Sequence, residues 1–263
     1  ELSDVNFRDL KKYCDSKKIV FLSTPYDEKS ADFLEKLGVS AFKISSSDLT
    51  HLPLLKHVAK KRLPIIISTG ASNLNEVNLA VKCVKAVGNK NIILLHCTAA
   101  YPTMIKDVNL NQMLTLKKNF KSLSAGYSDH TLSVLVPAMA VALGACIIEK
   151  HFTLDRNFIG PDHKASMEPE ELRQIVKNIR DAESALGSSL KEPCKIEYED
   201  RELGRRSIVA GVDIKKGEKI KENMLAIKRP GTGVEPKNLG KIIGKTAKED
   251  IKKDSLIKYK SIK

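Results

Sequence analysis

Gly126-Tyr127-Ser128-Asp129-His130 and Glu149-Lys150-His151 decide how the chain is read. Each closes an apolar run of strand length, Leu123 to Tyr127 for the first and Ala145 to Ile148 for the second. Between them lies a helix-length apolar segment, Leu132 to Leu143, closed by Gly144. Strand, helix, strand in that order is a βαβ unit, so the two strands run parallel and most simply lie side by side. Neighbouring strands are about 4.8 Å apart, so imidazoles at their carboxyl ends can converge on one ion. In parallel α/β architectures that end is where chemistry is done. His130 and His151 are therefore candidate metal ligands at the mouth of a barrel. Two strand-end histidines that only make structural hydrogen bonds fit the same spacing, and spacing alone does not separate the readings.

Upstream, the same rhythm repeats. Ile19-Val20-Phe21-Leu22, Ala41-Phe42-Lys43-Ile44, Pro64-Ile65-Ile66-Ile67-Ser68 and Ile92-Ile93-Leu94-Leu95 read as buried strands. Helical spacing fills the intervals: Phe7 to Cys14, Ala31 to Leu37 stopping at Gly38, Leu54 to Val58, a helix capped by Asn73 with Glu76 three residues on, and residues 110–120. Continuously apolar strands alternating with amphipathic helices mean a parallel sheet covered by helices, in about six βα units. A closed (β/α)8 barrel needs eight, so two units are expected before Glu1. No Gly-rich dinucleotide loop follows the first strand, which disfavours an open doubly wound sheet. A last helix with its stripe at Leu172, Ile175, Val176, Ile179 and Leu186 ends at Gly187. The expected barrel domain is therefore 1–187. Residues 188–206 are polar and charged and read as a linker; 207–263, with short β-prone runs between Gly-rich turns, reads as a small all-β domain.

The 263 residues lack Trp and are 5% aromatic, which disfavours a stacking platform for single-stranded nucleic acid. The net charge of +13 is concentrated in residues 191–263, but the lysines are interspersed with acids rather than massed, so a solvated surface is expected and no nucleic-acid partner. Five scattered cysteines, mostly in apolar runs, fit a reducing, cytoplasmic setting rather than a disulfide framework. No apolar run approaches the roughly 20 residues of a membrane span.

Lys43 stands inside an apolar strand, where an ammonium must find a negative partner. With the hydroxyls of Thr24, Ser46, Ser68 and Ser128 at other strand ends it makes a candidate phosphate cradle. Asp48, Tyr101 and Asp162 are loop-borne polar groups on the same face, and His96 is read as structural. Arg229 lies in a turn of the β domain, where an exposed arginine is the simplest reading. A non-catalytic protein that binds through the basic β domain is the alternative to an enzyme.

The order of motifs is itself informative. Leu22-Ser23-Thr24-Pro25, Phe42-Lys43-Ile44, Ser68-Thr69-Gly70, His96-Cys97-Thr98 with Tyr101-Pro102, Gly126-Tyr127-Ser128-Asp129-His130, Glu149-Lys150-His151-Phe152-Thr153, Gly160-Pro161-Asp162-His163 and Lys228-Arg229-Pro230-Gly231-Thr232-Gly233 together closely resemble the sialic acid synthase (N-acetylneuraminate synthase) family. The resemblance implies a (β/α)8 barrel lacking its first two units here, followed by an antifreeze-like SAF domain. It implies condensation of phosphoenolpyruvate with an N-acylated hexosamine such as N-acetylmannosamine, giving a nine-carbon 2-keto acid and phosphate. By position, His130 and His151 match the ligands of a divalent metal, Mn2+ or Mg2+. Thr24, Lys43, Ser46, Ser68 and Ser128 match phosphoenolpyruvate contacts; Asp48, Tyr101 and Asp162 match contacts to the acceptor sugar. Arg229 matches an arginine that reaches the partner subunit's barrel, implying a domain-swapped homodimer. The family's acid/base glutamate is expected upstream of Glu1, so no catalytic acid or base is assigned.

Overall fold

Five short runs pair in chain order, all parallel: β1 (Phe42–Ile44), β2 (Ile65–Ser68), β3 (Ile92–Cys97), β4 (Ser124–Asp129) and β5 (Ile148–Lys150). They belong to a computed structural model that describes residues 2–263, in two units that divide after Gly187. In the first unit the strands form a curled half-barrel, with α1 (Asp4–Ser16), α2 (Glu28–Leu37), α3 (Leu52–Lys60), α4 (Leu74–Ala86), α5 (Asn111–Asn119), α6 (Val136–Ala142) and α7 (Pro169–Leu186) around it.

Side chains alternate across each strand, and the alternation sorts them by chemistry. Phe42, Ile44, Ile65, Ile67, Ile92 and Leu94 pack outward against Leu54, Leu55 and Val58 of α3 and Val77, Ala80, Val81 and Val84 of α4. Ala125 and Tyr127 of β4 pack likewise against Met113 of α5 and Val136 and Ala140 of α6. The residues between them (Lys43, Ser68, Cys97, Ser128 and Glu149) therefore face the barrel interior. Helix ends follow local chemistry. The Asn73 side chain accepts the Asn75 and Glu76 N–H groups while Glu76 accepts the Asn73 N–H at 2.8 Å. Gly38, at φ +81°, ends α2 in the left-handed conformation that glycine adopts without strain.

Three expectations need correction. Ile19–Leu22 is no strand: it enters no ladder, and Ile19 and Val20 are exposed. A strand exists only through a hydrogen-bonded neighbour, and the run's apolar character serves packing instead, Phe21 meeting Phe7 edge-on at 6.3 Å. Five strands, not six, are thus paired. Next, α6 starts at Val136 rather than Leu132 because Pro137 has no N–H to give to a preceding turn and its ring would clash with the carbonyl four residues back, so it sits in the first turn of the helix; the Thr131 and Ser133 hydroxyls accept backbone N–H groups in the turn before it. Lastly, β5 is displaced toward its charged end, Ile148–Lys150, and β4 runs on to Asp129. The ladder pairs Ser128 with Glu149 and Asp129 with Lys150, so each polar side chain finds its partner inside the sheet.

The second unit contains α8 (Tyr198–Gly204), the antiparallel pair β6 (Ser207–Ala210) and β7 (Leu225–Lys228), and α9 (Leu239–Ile242), around a core of Ile208, Ile214, Ile220, Ile242 and Ile257. The polar stretch before β6 is structured. The Glu202 backbone carbonyl in α8 accepts the Gly231 N–H at 2.6 Å, and a Cβ at Gly231 would lie 2.5 Å from that of Arg205. Among the described residues no helix is long and apolar enough to cross a membrane.

His96, on the outward face of β3, is buried; its Nε2 lies 2.7 Å from the Val108 carbonyl and it stacks on Tyr127. Burial holds its pKa below the ordinary value despite that bond. The unfolded chain, titrating near 6.5, then binds the proton more readily, so this contribution to stability is complete above that pH and is lost as pH falls. We expect the urea midpoint to drop between about pH 7.5 and about pH 5.5. His96→Gln, which keeps the donor and removes the titration, should flatten the drop; an unchanged slope would contradict this.

Candidate active site

The inward side chains meet at the carboxyl edge of the sheet. Lys43 Nζ donates to Ser68 Oγ at 2.7 Å and to the Ile44 carbonyl at 3.0 Å, and lies 3.5 Å from Glu149 Oε2. Ser128 Oγ donates to Glu149 Oε1 at 2.8 Å. Lys43 is thus a partly buried cation, and Glu149 is its partner across the barrel. The Ser46 hydroxyl accepts the Gly70 N–H at 3.0 Å and lies 3.2 Å from Cys97 Sγ. Four hydroxyl- or charge-bearing strands therefore converge on one interior surface. Such a surface can take an anion by exchanging the Lys43–Glu149 contact for charge-assisted bonds to oxygen.

One step further along β4 and β5, at the same parity, stand the two histidines. Their rings are 5.3 Å apart, nearly perpendicular, and Tyr101 covers both, at 4.2 Å from His130 and 5.5 Å from His151. His130 Nδ1 sits 2.7 Å from the Thr98 carbonyl; a carbonyl accepts only, so Nδ1 carries the proton and Nε2 keeps a lone pair. Burial, with His151 adding to it, holds the His130 pKa below the usual value, so its ring is neutral at neutral pH. These are the properties of an imidazole ligand oriented by a backbone acceptor. Asp162 Oδ2 lies 3.9 Å from His151 Nδ1. Among the described residues no group of three or more His, Cys, Asp or Glu forms a complete protein-only metal cage. Two imidazoles beside open positions fit a metal that also takes water or substrate oxygen.

The candidates thus separate. Lys43, Ser68 and Ser128 share one hydrogen-bonded cluster with Glu149, and Ser46 adjoins it through Gly70 and Cys97; His130, His151, Tyr101 and Asp162 form the second group. Asp48 accepts the Ser45 hydroxyl at 2.6 Å and lies 3.9 Å from His51 Nδ1. Thr24 lines a hollow with Ser23, Tyr26, Asp27 and Phe33. Arg229 belongs to the second unit, at the end of the β7 turn. The sequence alone does not mark Glu149 as a site residue, although its parity with His151 places it on the interior face. Gly70 was also missed: a Cβ there would lie 2.8 Å from Ser46 Oγ and 2.9 Å from Cys97 Sγ.

A parallel sheet with a lysine–serine–glutamate cluster and a histidine pair at its carboxyl edge marks an enzyme built on an α/β-barrel scaffold. The profile of the NeuB family matches residues 1–191, and that of the SAF domain matches residues 205–263. The chain therefore belongs to the NeuB family of sialic-acid-type synthases, enzymes of the transferase class. It is 49% identical over 248 residues to N,N'-diacetyllegionaminic acid synthase of Legionella pneumophila, covering 93% of this chain and 69% of that protein. It is 36% identical over 260 residues to human N-acetylneuraminate-9-phosphate synthase, covering 98% and 72%. The crystal structure of an N-acetylneuraminic acid synthetase from Leptospira borgpetersenii, in complex with citrate, matches with a TM-score of 0.72 at 37% identity, covering 76% of this chain and 70% of that one.

Gly70→Ala should cost about 1–3 kcal/mol by overpacking against Ser46 and Cys97. The test is urea unfolding, and pairing the change with Cys97→Ala should recover part of the loss. Full stability of Gly70→Ala alone would show that the Ser46 contact is not tight.

Proposed function

We propose that the protein condenses phosphoenolpyruvate with the open-chain aldehyde of an N-acylated hexosamine to give a nine-carbon 2-keto acid and inorganic phosphate. The observation that carries the reading is the partly buried Lys43–Ser68 contact with Glu149 and Ser128 completing the same interior face, two residues before the imidazole pair on both β4 and β5. The family supports it: by their names, relatives make N,N'-diacetyllegionaminic acid and N-acetylneuraminate 9-phosphate. In this reading the five strands are part of a closed barrel that further strands complete.

Lys43, Ser46, Ser68, Ser128 and Thr24 hold the phosphate and carboxylate of phosphoenolpyruvate. Its methylene carbon forms the new bond to the aldehyde carbon, whose oxygen becomes a hydroxyl. Water adds to the carbon bearing the phosphate, one of its protons going to the new alkoxide and the other leaving with the phosphate as the C–O bond breaks and the ketone forms. The Lys43 ammonium, released from Glu149, offsets the charge that collects on the departing phosphate. Asp48, Tyr101 and Asp162 orient the acceptor sugar, and Arg229 holds its acyl group in the barrel of a partner subunit, making a swapped homodimer. His130 and His151 would hold a divalent cation that polarises the aldehyde as a Lewis acid. Imidazole donors suit Mn2+ better than Mg2+, which prefers oxygen.

The test is phosphate release by the full-length polypeptide with phosphoenolpyruvate, Mn2+ and either N-acetylmannosamine or a diacetamido-trideoxy hexose. Turnover with one of the sugars is expected, and Lys43→Met should lower kcat/KM by about 10²–10³-fold. No phosphate release with any N-acylated hexosamine, or an unaffected Lys43→Met, would overturn the proposal.

A further inference from the structure

On the opposite face of the same two strands lies a buried ion pair that the proposed chemistry leaves unused. Lys150 Nζ is 2.7 Å from Asp129 Oδ2; the Lys150 side chain is 5% exposed and that of Asp129 0%. Asp129 Oδ1 also accepts the Tyr127 hydroxyl at 3.0 Å and the Thr131 N–H at 2.9 Å, and Oδ2 the Thr131 hydroxyl at 3.2 Å. Lys150 donates in addition to the Thr131 carbonyl. Beyond it, Arg156 and Glu171 pair with each other and close the outer side.

Its place in the chain gives this network a use. The β4–β5 ladder ends at Asp129 paired with Lys150, so His130 and His151 are the first residues past the last rung. Past that point each histidine is tied away from the other. The His130 carbonyl accepts the Thr103 N–H and its ring meets the Thr98 carbonyl, both on the β3 side. The His151 carbonyl accepts the Met167 N–H, on the far side. The ladder alone therefore does not set the separation of the rings. The ion pair adds a tie across the gap: Lys150 reaches to both residues that flank His130, namely Asp129 by its carboxylate and Thr131 by its carbonyl. A buried ion pair is commonly no more stabilising than an apolar pair of the same volume, so geometry is a better account of its presence than stability.

We propose that Asp129 and Lys150 are positioning residues that clamp the ends of β4 and β5 so that the imidazoles of His130 and His151 converge on one divalent cation. This rests on the metal-binding reading above, and the experiment separates the two. Mn2+ affinity is measured from the electron paramagnetic resonance signal of the free ion, without substrate, on the full chain and three variants. His130→Ala should abolish binding. Asp129→Asn combined with Lys150→Met, which removes both charges together, should keep the melting temperature near that of the parent and weaken Mn2+ binding about 10–100-fold. Tyr127→Phe, which deletes one bond to Asp129 and no charge, should weaken it measurably. A folded double variant with unchanged affinity, while His130→Ala loses the ion, overturns the clamp and leaves the metal site standing. Unchanged affinity in His130→Ala removes the metal site and the clamp with it. Should the double variant fail to fold, Tyr127→Phe decides: weaker binding supports the clamp, and unchanged binding overturns it.

Discussion

The two-residue alternation at the paired ends of β4 and β5 is the constraint on which the rest of the first unit depends. Ser128 and Glu149 stand at one parity, Asp129 and Lys150 at the other, and the ladder holds them opposite each other. The inward parity carries hydrogen-bonding groups that a substrate can displace. The outward parity carries an ion pair that solvent does not reach. A one-residue slip of either strand would turn that strand over, putting Asp129 or Lys150 into the site and sending Ser128 or Glu149 to the helical shell. The polar pairing across the strands therefore specifies register as well as chemistry.

The same alternation explains why the cluster around Lys43 is tolerated in a sheet whose outer face is so apolar. Phe42 and Ile44 are both fully buried against α3 and α4, so the residue between them has nowhere to go but the interior. There it meets Ser68 and Glu149. A lysine with a carboxylate and a hydroxyl at hand is anchored on that face and remains available to an incoming anion. Across β2 and β3, Gly70 lacks the side chain that would push Ser46 away. Charge, hydroxyls and one missing Cβ thus shape one surface.

Most of the fold was legible because it is written in features that act locally: apolar strands of four or five residues, the Asn73–Glu76 cap, the stop at Gly38. Failures came where an element needs a partner or where a single residue overrides a pattern. Ile19–Leu22 has the composition of a strand but no strand beside it. The segment 132–143 has helical length, yet Pro137 delays the helix. At the candidate site, Lys43 and the two histidines were conspicuous in the sequence because each stands against an apolar run. The role of Glu149 was not, because charge at a strand end reads as solvent-facing until register shows what lies opposite. Arg229 sits in a unit whose own core is complete without it, so its part in the chemistry is carried by family resemblance alone.

That His130 and His151 jointly bind one divalent cation is the claim from which the chemistry and the clamp both follow. Pulsed electron paramagnetic resonance of Mn2+ bound to the protein tests it most directly, since imidazole nitrogen on the metal gives a resolved nuclear modulation. Two nitrogen couplings are predicted for the parent protein, and the bound-ion spectrum should disappear in His130→Ala. A bound Mn2+ with no nitrogen coupling, or with couplings that survive that substitution, would contradict it.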